Sequence, residues 1–350
     1  MKYLFVFSDQ SLQAIETSVS IISNYPQKIS TMQPHSKNSM RKLNLYAFFT
    51  VLLGLLFLDY SNVALAQSPV ASQEFMVGDK AEVEVSTNGG RIEVTGKNTN
   101  KVIVNAIAYV NGRRSSNVDL DNWSITIEEI QGKIVAKAER ESSYRWLRGG
   151  NNVSIAFEIE SPVNTNINAR TSGGSVYMEN LAGTQYARTS GGSMEISDIQ
   201  GNIEMRTSGG SIRLENIDGQ AEVATSGGSI RAKKVTQGLK ARTSGGSLNL
   251  HEISGSLEAR TSGGSIDVLL INPIEYIEVS TSGGNVTVEV PESLGYDLEL
   301  SGSRVRTELR NFTGSSSRDA IRGAMNGGGI PLKARTSGGS VSLKYYKAAS

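Results

Sequence analysis

Between residues 170 and 290 aliphatic and polar positions alternate in short bursts, and each burst returns 18 residues later. In the unit 206–223 the apolar positions are Ile212, Leu214, Ile217, Ala221 and Val223, with Arg213, Glu215, Asp218 and Glu222 among them. Aligned units repeat the choice. Val176, Met194, Ile212, Ile230, Leu248, Ile266 and Val286 share one position; Met178, Ile196, Leu214, Ala232, Leu250, Val268 and Val288 share the next but one. A second set runs Ala187, Met205, Val223, Ala241 and Ala259, preceded by Ile203, Ala221, Leu239 and Leu257. Period-two alternation over so few residues predicts strands, here 211–217 and 220–225, with one buried and one wet face. Gly209 and Gly210 mark one turn, where positive φ is expected, and Asp218 with Gly219 marks another. A chain that coils back over itself explains why like residues recur. Parallel strands then stack about 4.8 Å apart, two per coil, around a thin core roughly 10 Å across. The expected fold is all-β, a parallel β-solenoid with coils of about 18 residues. An antiparallel β meander gives the same period and stands as the alternative. It needs a second layer over one apolar face, which the repeat block does not supply.

The turn motif Thr-Ser-Gly-Gly begins at Thr171, Thr189, Thr207, Thr225, Thr243 and Thr261, then at Thr281 after 20 residues, and again at Thr336. A fixed period of this length marks a repeat architecture. Each motif Thr falls two residues past an inward position, so it is expected to point inward and satisfy its hydroxyl along the stack. The regular solenoid is read over 166–290. Residues 67–74 read as a linker. Residues 75–165 read as an N-terminal β region and cap, with strands at 81–86, 91–95, 101–109, 123–130, 133–140 and 153–159 and a tight turn at Gln131 and Gly132. Segment 270–277 breaks the period, and Pro273 within it has no N–H for a ladder. Residues 291–346 read as an irregular C-terminal coil and cap. There 315–325 is expected to be a short helix or ordered loop, and the motif at 336–343 to close the end.

Reiterated T-S-G-G-S-[IVL]-x-[LIV] after a glycine-punctuated leader resembles the bacterial adhesin-like domain family DUF4097. The resemblance covers roughly residues 75–346. It includes the degenerate first motif Thr87, Asn88, Gly89, Gly90, the Val-Pro-Glu segment at 290–292, and Met325, Asn326, Gly327, Gly328, Gly329 before the last motif. It implies a right-handed solenoid and a secreted or surface location. It supplies no catalytic residues to carry over.

Net charge is +1 with no cysteine, 37 Gly, 8 Phe and 2 Trp. Near-neutral charge argues against nucleic acid as a partner. Met40, Arg41 and Lys42 open a basic segment, an apolar run of 16 residues follows at 43–58, and Ala64-Leu65-Ala66 is a small-x-small site. Residues 40–66 are read as a secretory signal peptide cleaved after Ala66, Met40 as the initiator, and 1–39 as a mis-assigned extension. The exported chain is expected to have no integral membrane segment, disulfide or lipidated cysteine.

Candidate chemistry is sparse. His35 lies ahead of the signal, and His251 sits on a variable polar position without metalloprotease spacing. The Gly-Gly motif is not a phosphate loop, since no Lys-Ser/Thr and no helix follow it. Asp198, Asp218 and Asp267 do not share a column. Glu204, Glu222 and Glu258 do, and read as solvated strand residues. No cofactor or metal motif is found. The distinctive column is Arg170, Arg188, Arg206, Arg242, Arg260 and Arg335, with Ala224 as the gap. It reads either as a charged face kept soluble by neighbouring glutamates or as a ladder for a polyanionic glycan or cell-surface component. Tyr144, Arg145 and Trp146 read as a packing loop or a sugar-stacking one. The expected role is an exported, non-enzymatic adhesin-like or envelope-associated binding module. The alternatives are an envelope scaffold without a specific ligand and, third, a polysaccharide-active enzyme.

Overall fold

The computed structural model describes residues 68–141 and 152–347. They contain no helix and carry 26 strands joined in one hydrogen-bonded sheet. In the repeat block each strand pairs in parallel with its equivalent in the next coil. Met194 lies opposite Ile212, and Ile212 opposite Ile230. In the second strands Ala187 faces Met205, Met205 faces Val223 and Val223 faces Ala241. The antiparallel meander is therefore excluded for this block. A meander would leave an aliphatic face open, whereas a coil covers its own. The fold is solenoid-like, and antiparallel pairs appear at its two ends.

The core follows the alternation. Ile212, Leu214, Ile217, Ala221 and Val223 are each no more than 3% exposed, and their equivalents along the stack are buried likewise. Fully burying a Val, Leu or Ile side chain contributes about 1.5–3 kcal/mol, so the column of coils is stabilised chiefly by these ladders.

The coil has three bends rather than two. Asn180, Asp198, Asn216, Lys234 and Glu252 form a column of left-handed residues with φ of 55–59°. Each bends the first strand of its coil, and ladder pairing passes from Ser197–Glu215 to Ile199–Ile217 without the residue between. The other two bends are at the glycine near position 219 and at Thr-Ser-Gly-Gly. Each coil keeps the two strands expected of it, and the first of them is bent at this column.

The conformation expected for the Gly pair is also corrected. Neither Gly209 nor Gly210 has a positive φ. The second glycine is needed for space. A Cβ on Gly210 would stand 1.9 Å from the carbonyl oxygen of Gly192, and Gly228, Gly246, Gly264, Gly284 and Gly339 repeat the approach at 2.0–2.1 Å. Beside it sits the motif Thr, 7% exposed at Thr207. Thr207 Oγ1 donates to Gly192 O of the preceding coil at 2.9 Å and accepts from Gly210 N of its own coil at 3.3 Å. Thr171, Thr189, Thr225, Thr243, Thr261, Thr281 and Thr336 make the same pair of bonds. The threonines thus point inward as expected, but they clip glycine backbones of adjacent coils and do not bond one another.

At both ends, stacking order departs from chain order. Strand Ala81–Thr87 lies between Lys133–Arg140 and Thr165–Thr171, and Ile92–Lys97 lies between Val153–Pro162 and Val176–Ala182. The first coil in sequence is therefore second in the stack. Thr87 of its degenerate motif donates to Ile155 O at 2.6 Å. Around this end Lys101–Val110 runs antiparallel to Val153–Pro162 and to Ala71–Met76, so residues 71–74, expected as linker, are strand. Trp123–Ile130 and Lys133–Arg140 form a hairpin whose turn, Gln131 and Gly132, has φ of 52° and 78°.

The C-terminal end mirrors this arrangement. Ile330–Thr336 and Ser340–Tyr346 lie between the coil of Ile266–Thr281 and Val286–Pro291 on one side and Tyr296–Ser301 with Arg304–Arg306 on the other. The last motif therefore sits inside the stack and does not close it. Segment 315–325, expected as helix or loop, belongs to an antiparallel hairpin of Phe312–Ser316 and Ala320–Met325 laid on Tyr296–Ser301. The reason is edge protection. Strands added antiparallel cover the last parallel rung, which a bare coil would leave open.

Candidate functional site

The second strand of each coil turns its polar side outward, and parallel register lines those side chains up. Arg170 pairs with Arg188, Arg188 with Arg206, and Arg242 with Arg260, with Ala224 between Arg206 and Arg242. All five guanidiniums lie at exposed positions. Two residues earlier on the same face runs Asn168, Tyr186, Glu204, Glu222, Lys240, Glu258 and Glu278. Unit charges 4 Å apart interact by about 1 kcal/mol even in water, so a bare arginine column would repel itself.

The glutamates answer most of it. Arg206 reaches Glu204 Oε1 at 2.9 Å and Glu222 Oε1 at 3.2 Å. Glu258 accepts from Arg242 at 2.8 Å and from Arg260 at 3.0 Å, and Arg260 also reaches Glu278 at 3.0 Å. Arg335 pairs with Glu299. Arg170 lies over the Tyr186 ring, 5.7 Å from its centroid. Arg188 has no ion pair among the described residues. Glu258 is the most enclosed carboxylate of the column, its side chain 11% exposed. Burial pushes its pKa up, but the hydrogen bond from Arg242 and the charges of Arg242, Arg260 and Lys240 outweigh this and hold it below the ordinary carboxylate value.

The other sequence candidates remain scattered. His251 is a half-buried strand residue 3.8 Å from Asp267. Asp198 accepts from Asn216 at 2.9 Å and Asp218 from Thr236 at 2.7 Å, in different columns. Among the described residues no three His, Cys, Asp or Glu side chains gather as a metal site. Tyr144, Arg145 and Trp146, and the segment 40–66, lie outside the described residues.

One feature of this face escapes the column reading. Where the period lengthens, Glu275 and Tyr276 border a groove of about 390 Å³ that also takes in Asn202, Gln220, Glu222 and Lys240. The signal in sequence is the 20-residue spacing from Thr261 to Thr281.

Three solved structures share general resemblance with the chain. One from Bacteroides fragilis, described as a putative adhesin, has a TM-score of 0.41 at 11% identity and covers 78% of this chain and 96% of its own. One from Parabacteroides distasonis, also described as a putative adhesin, has a TM-score of 0.35 at 14% identity, with coverage of 78% and 96%. One from Clostridium sporogenes, described as a putative cell adhesion protein, has a TM-score of 0.20 at 11% identity, with coverage of 79% and 99%. Superposition at this level does not by itself define a common fold. No curated protein matches the chain. The family model described as Toastrack DUF4097 matches residues 70–344, which take in the coil stack and both of its ends. The chain is therefore a member of the Toastrack DUF4097 family.

Proposed function

We propose that this chain is an exported, non-enzymatic, adhesin-like protein of the bacterial envelope or surface, and that its arginine face contacts a polyanionic glycan. One observation carries the reading: Arg170, Arg188, Arg206, Arg242 and Arg260 occupy one outward column in register. Guanidinium forks repeated at strand spacing suit carboxylate or sulfate groups repeated along a chain. Arg188 and Arg170, which have no acidic partner among the described residues, make the first contacts. The coils wind right-handed, the hand taken by almost all parallel crossovers. Export through the segment 40–66 leaves Gln67 as the first residue, which N-terminal sequencing of the protein from its host checks.

The glycan reading is tested by titrating the full chain with polygalacturonate at low and high salt. Replacing Arg170 and Arg188 with Ala weakens binding roughly tenfold, the effect of losing one or two charge-assisted bonds. Replacing Arg188, Arg206 and Arg242 together abolishes the salt-sensitive component. Unchanged affinity in both variants removes the arginine column from the site. A scaffold without a ligand is the second reading, favoured by the hold that Glu204, Glu222, Glu258 and Glu278 have on Arg206, Arg242 and Arg260. It gives no saturable binding in the same titration.

A further inference from the structure

The coil that breaks the period builds a groove that the repeat alone does not have. In strand Ile266–Thr281, Pro273 lies opposite Gly255 and Ile277 opposite Leu257. Ser256 therefore faces three residues, Ile274, Glu275 and Tyr276. The surplus is pushed outward as a bulge. Ile274 is 62% exposed, Glu275 is exposed and Tyr276 is half-buried against the neighbouring coils. Glu275 and Tyr276 wall one side of the groove of about 390 Å³. Its floor is the column Thr184, Asn202, Gln220, Gly238 and Ser256, the residues just before each second strand. These are set about 4.8 Å apart along the stack. Gly238 withholds a side chain from that column, which opens the floor in front of Lys240.

The polar groups here are available. Asn202 Oδ1 accepts from Gln220 N at 3.3 Å, and its amide NH₂ has no partner among the described residues. The side chains of Thr184, Gln220 and Ser256 have no hydrogen-bond partner among the described residues. The charges are largely answered within the protein. Glu204 and Glu222 both accept from Arg206, and Glu275 and Lys240, of opposite sign, both line the groove. What remains is a slot with one aromatic wall and a row of neutral donors and acceptors. Its volume falls in the range of pockets that hold small organic ligands.

We infer that this groove binds a neutral saccharide chain. The Tyr276 ring packs on the apolar face of one sugar, and Asn202, Gln220, Thr184 and Ser256 bond hydroxyls of the following units. This goes beyond the arginine column. Ligand charge and salt response differ, so either site can fail while the other stands.

The test is binding of the full chain to an array of neutral oligosaccharides built from glucose, mannose, galactose, xylose and N-acetylglucosamine, followed by calorimetry. It is run at about 0.5 M salt, where surface charge is screened within a few ångström. At least one neutral oligosaccharide binds. Tyr276→Ala weakens that binding by roughly tenfold or more, whereas Tyr276→Phe, which keeps the ring, stays within about threefold. The double variant of Asn202→Ala and Gln220→Ala weakens it comparably, and Arg188→Ala leaves it unchanged. Melting curves of each variant confirm the fold. The inference is overturned if no neutral oligosaccharide binds, if Tyr276→Ala binds as well as the parent, or if only acidic glycans bind and salt removes them.

Discussion

Gly209 and Gly210 are adjacent and look interchangeable in the motif, yet they meet different surroundings. A Cβ on Gly210 stands 1.9 Å from Gly192 O, and one on Gly209 comes no nearer than 3.6 Å to any atom. Neither residue needs left-handed backbone, so the contrast is one of room and not of conformation. Gly210→Ala is expected to cost about 1–3 kcal/mol, because two coil backbones must part to admit the methyl group. Gly209→Ala is expected to stay within about 0.5 kcal/mol. Urea unfolding of the two variants side by side checks the assignment. Equal losses would mean that the pair serves the bend alone and not the close approach of coils. Thr207 depends on the same approach, since its hydroxyl reaches Gly192 O only while the coils remain this close.

At the scale of strands, charge links coils as the aliphatic ladders do. Glu258 joins Arg242 of the coil before it to Arg260 of its own. A carboxylate whose folded pKa lies below its unfolded value contributes stability above the unfolded pKa, about 4.3, and loses that contribution as pH falls through the folded value. Glu258→Gln is therefore expected to be less stable than the parent at pH 7 by about 1–2 kcal/mol. The gap should close below about pH 4. Melting temperatures of both proteins across that range give the comparison, and a gap constant with pH would assign the loss to packing. The strands and their inward residues were legible in the sequence because alternation at Ile212, Leu214, Ala221 and Val223 has a direct physical cause. The left-handed bend was not. Asn180, Asp198 and Asn216 are turn formers, but Lys234 and Glu252 hold the same conformation with no such preference. The arginine column and its pairing with Glu204 and Glu258 in the same coils were legible, whereas the reach of Arg206 to Glu222 and of Arg242 to Glu258 across coils had to be seen. The Tyr276 groove was legible only as an interruption, since its shape depends on where surplus residues bulge.

The described residues form a stack whose interior repeats and whose ends do not. Neither end could be ordered from the sequence, because spacing within a coil says nothing about which coil lies outside which. Ala81–Thr87 is enclosed by a later segment, and Ile330–Thr336 by an earlier one. Between those ends the coils are interchangeable, which predicts modular behaviour. Deleting residues 207–224 joins Arg206 to Thr225 and preserves every column. This variant is expected to fold, with a strand-type circular dichroism spectrum and a cooperative melt. A deletion one residue shorter exchanges inward for outward positions beyond the junction and is expected to yield insoluble protein. If both deletions fold, the coils are not in obligate register. The parallel rungs have a mechanical consequence as well. Their hydrogen bonds run along the stack, so tension applied between its two ends acts on the coils in series and is resisted by one set of rungs at a time. Each released coil adds about 60 Å of slack. More coils would therefore give a longer tether, not a stronger one, and a pulled molecule would pay out in steps before it parted.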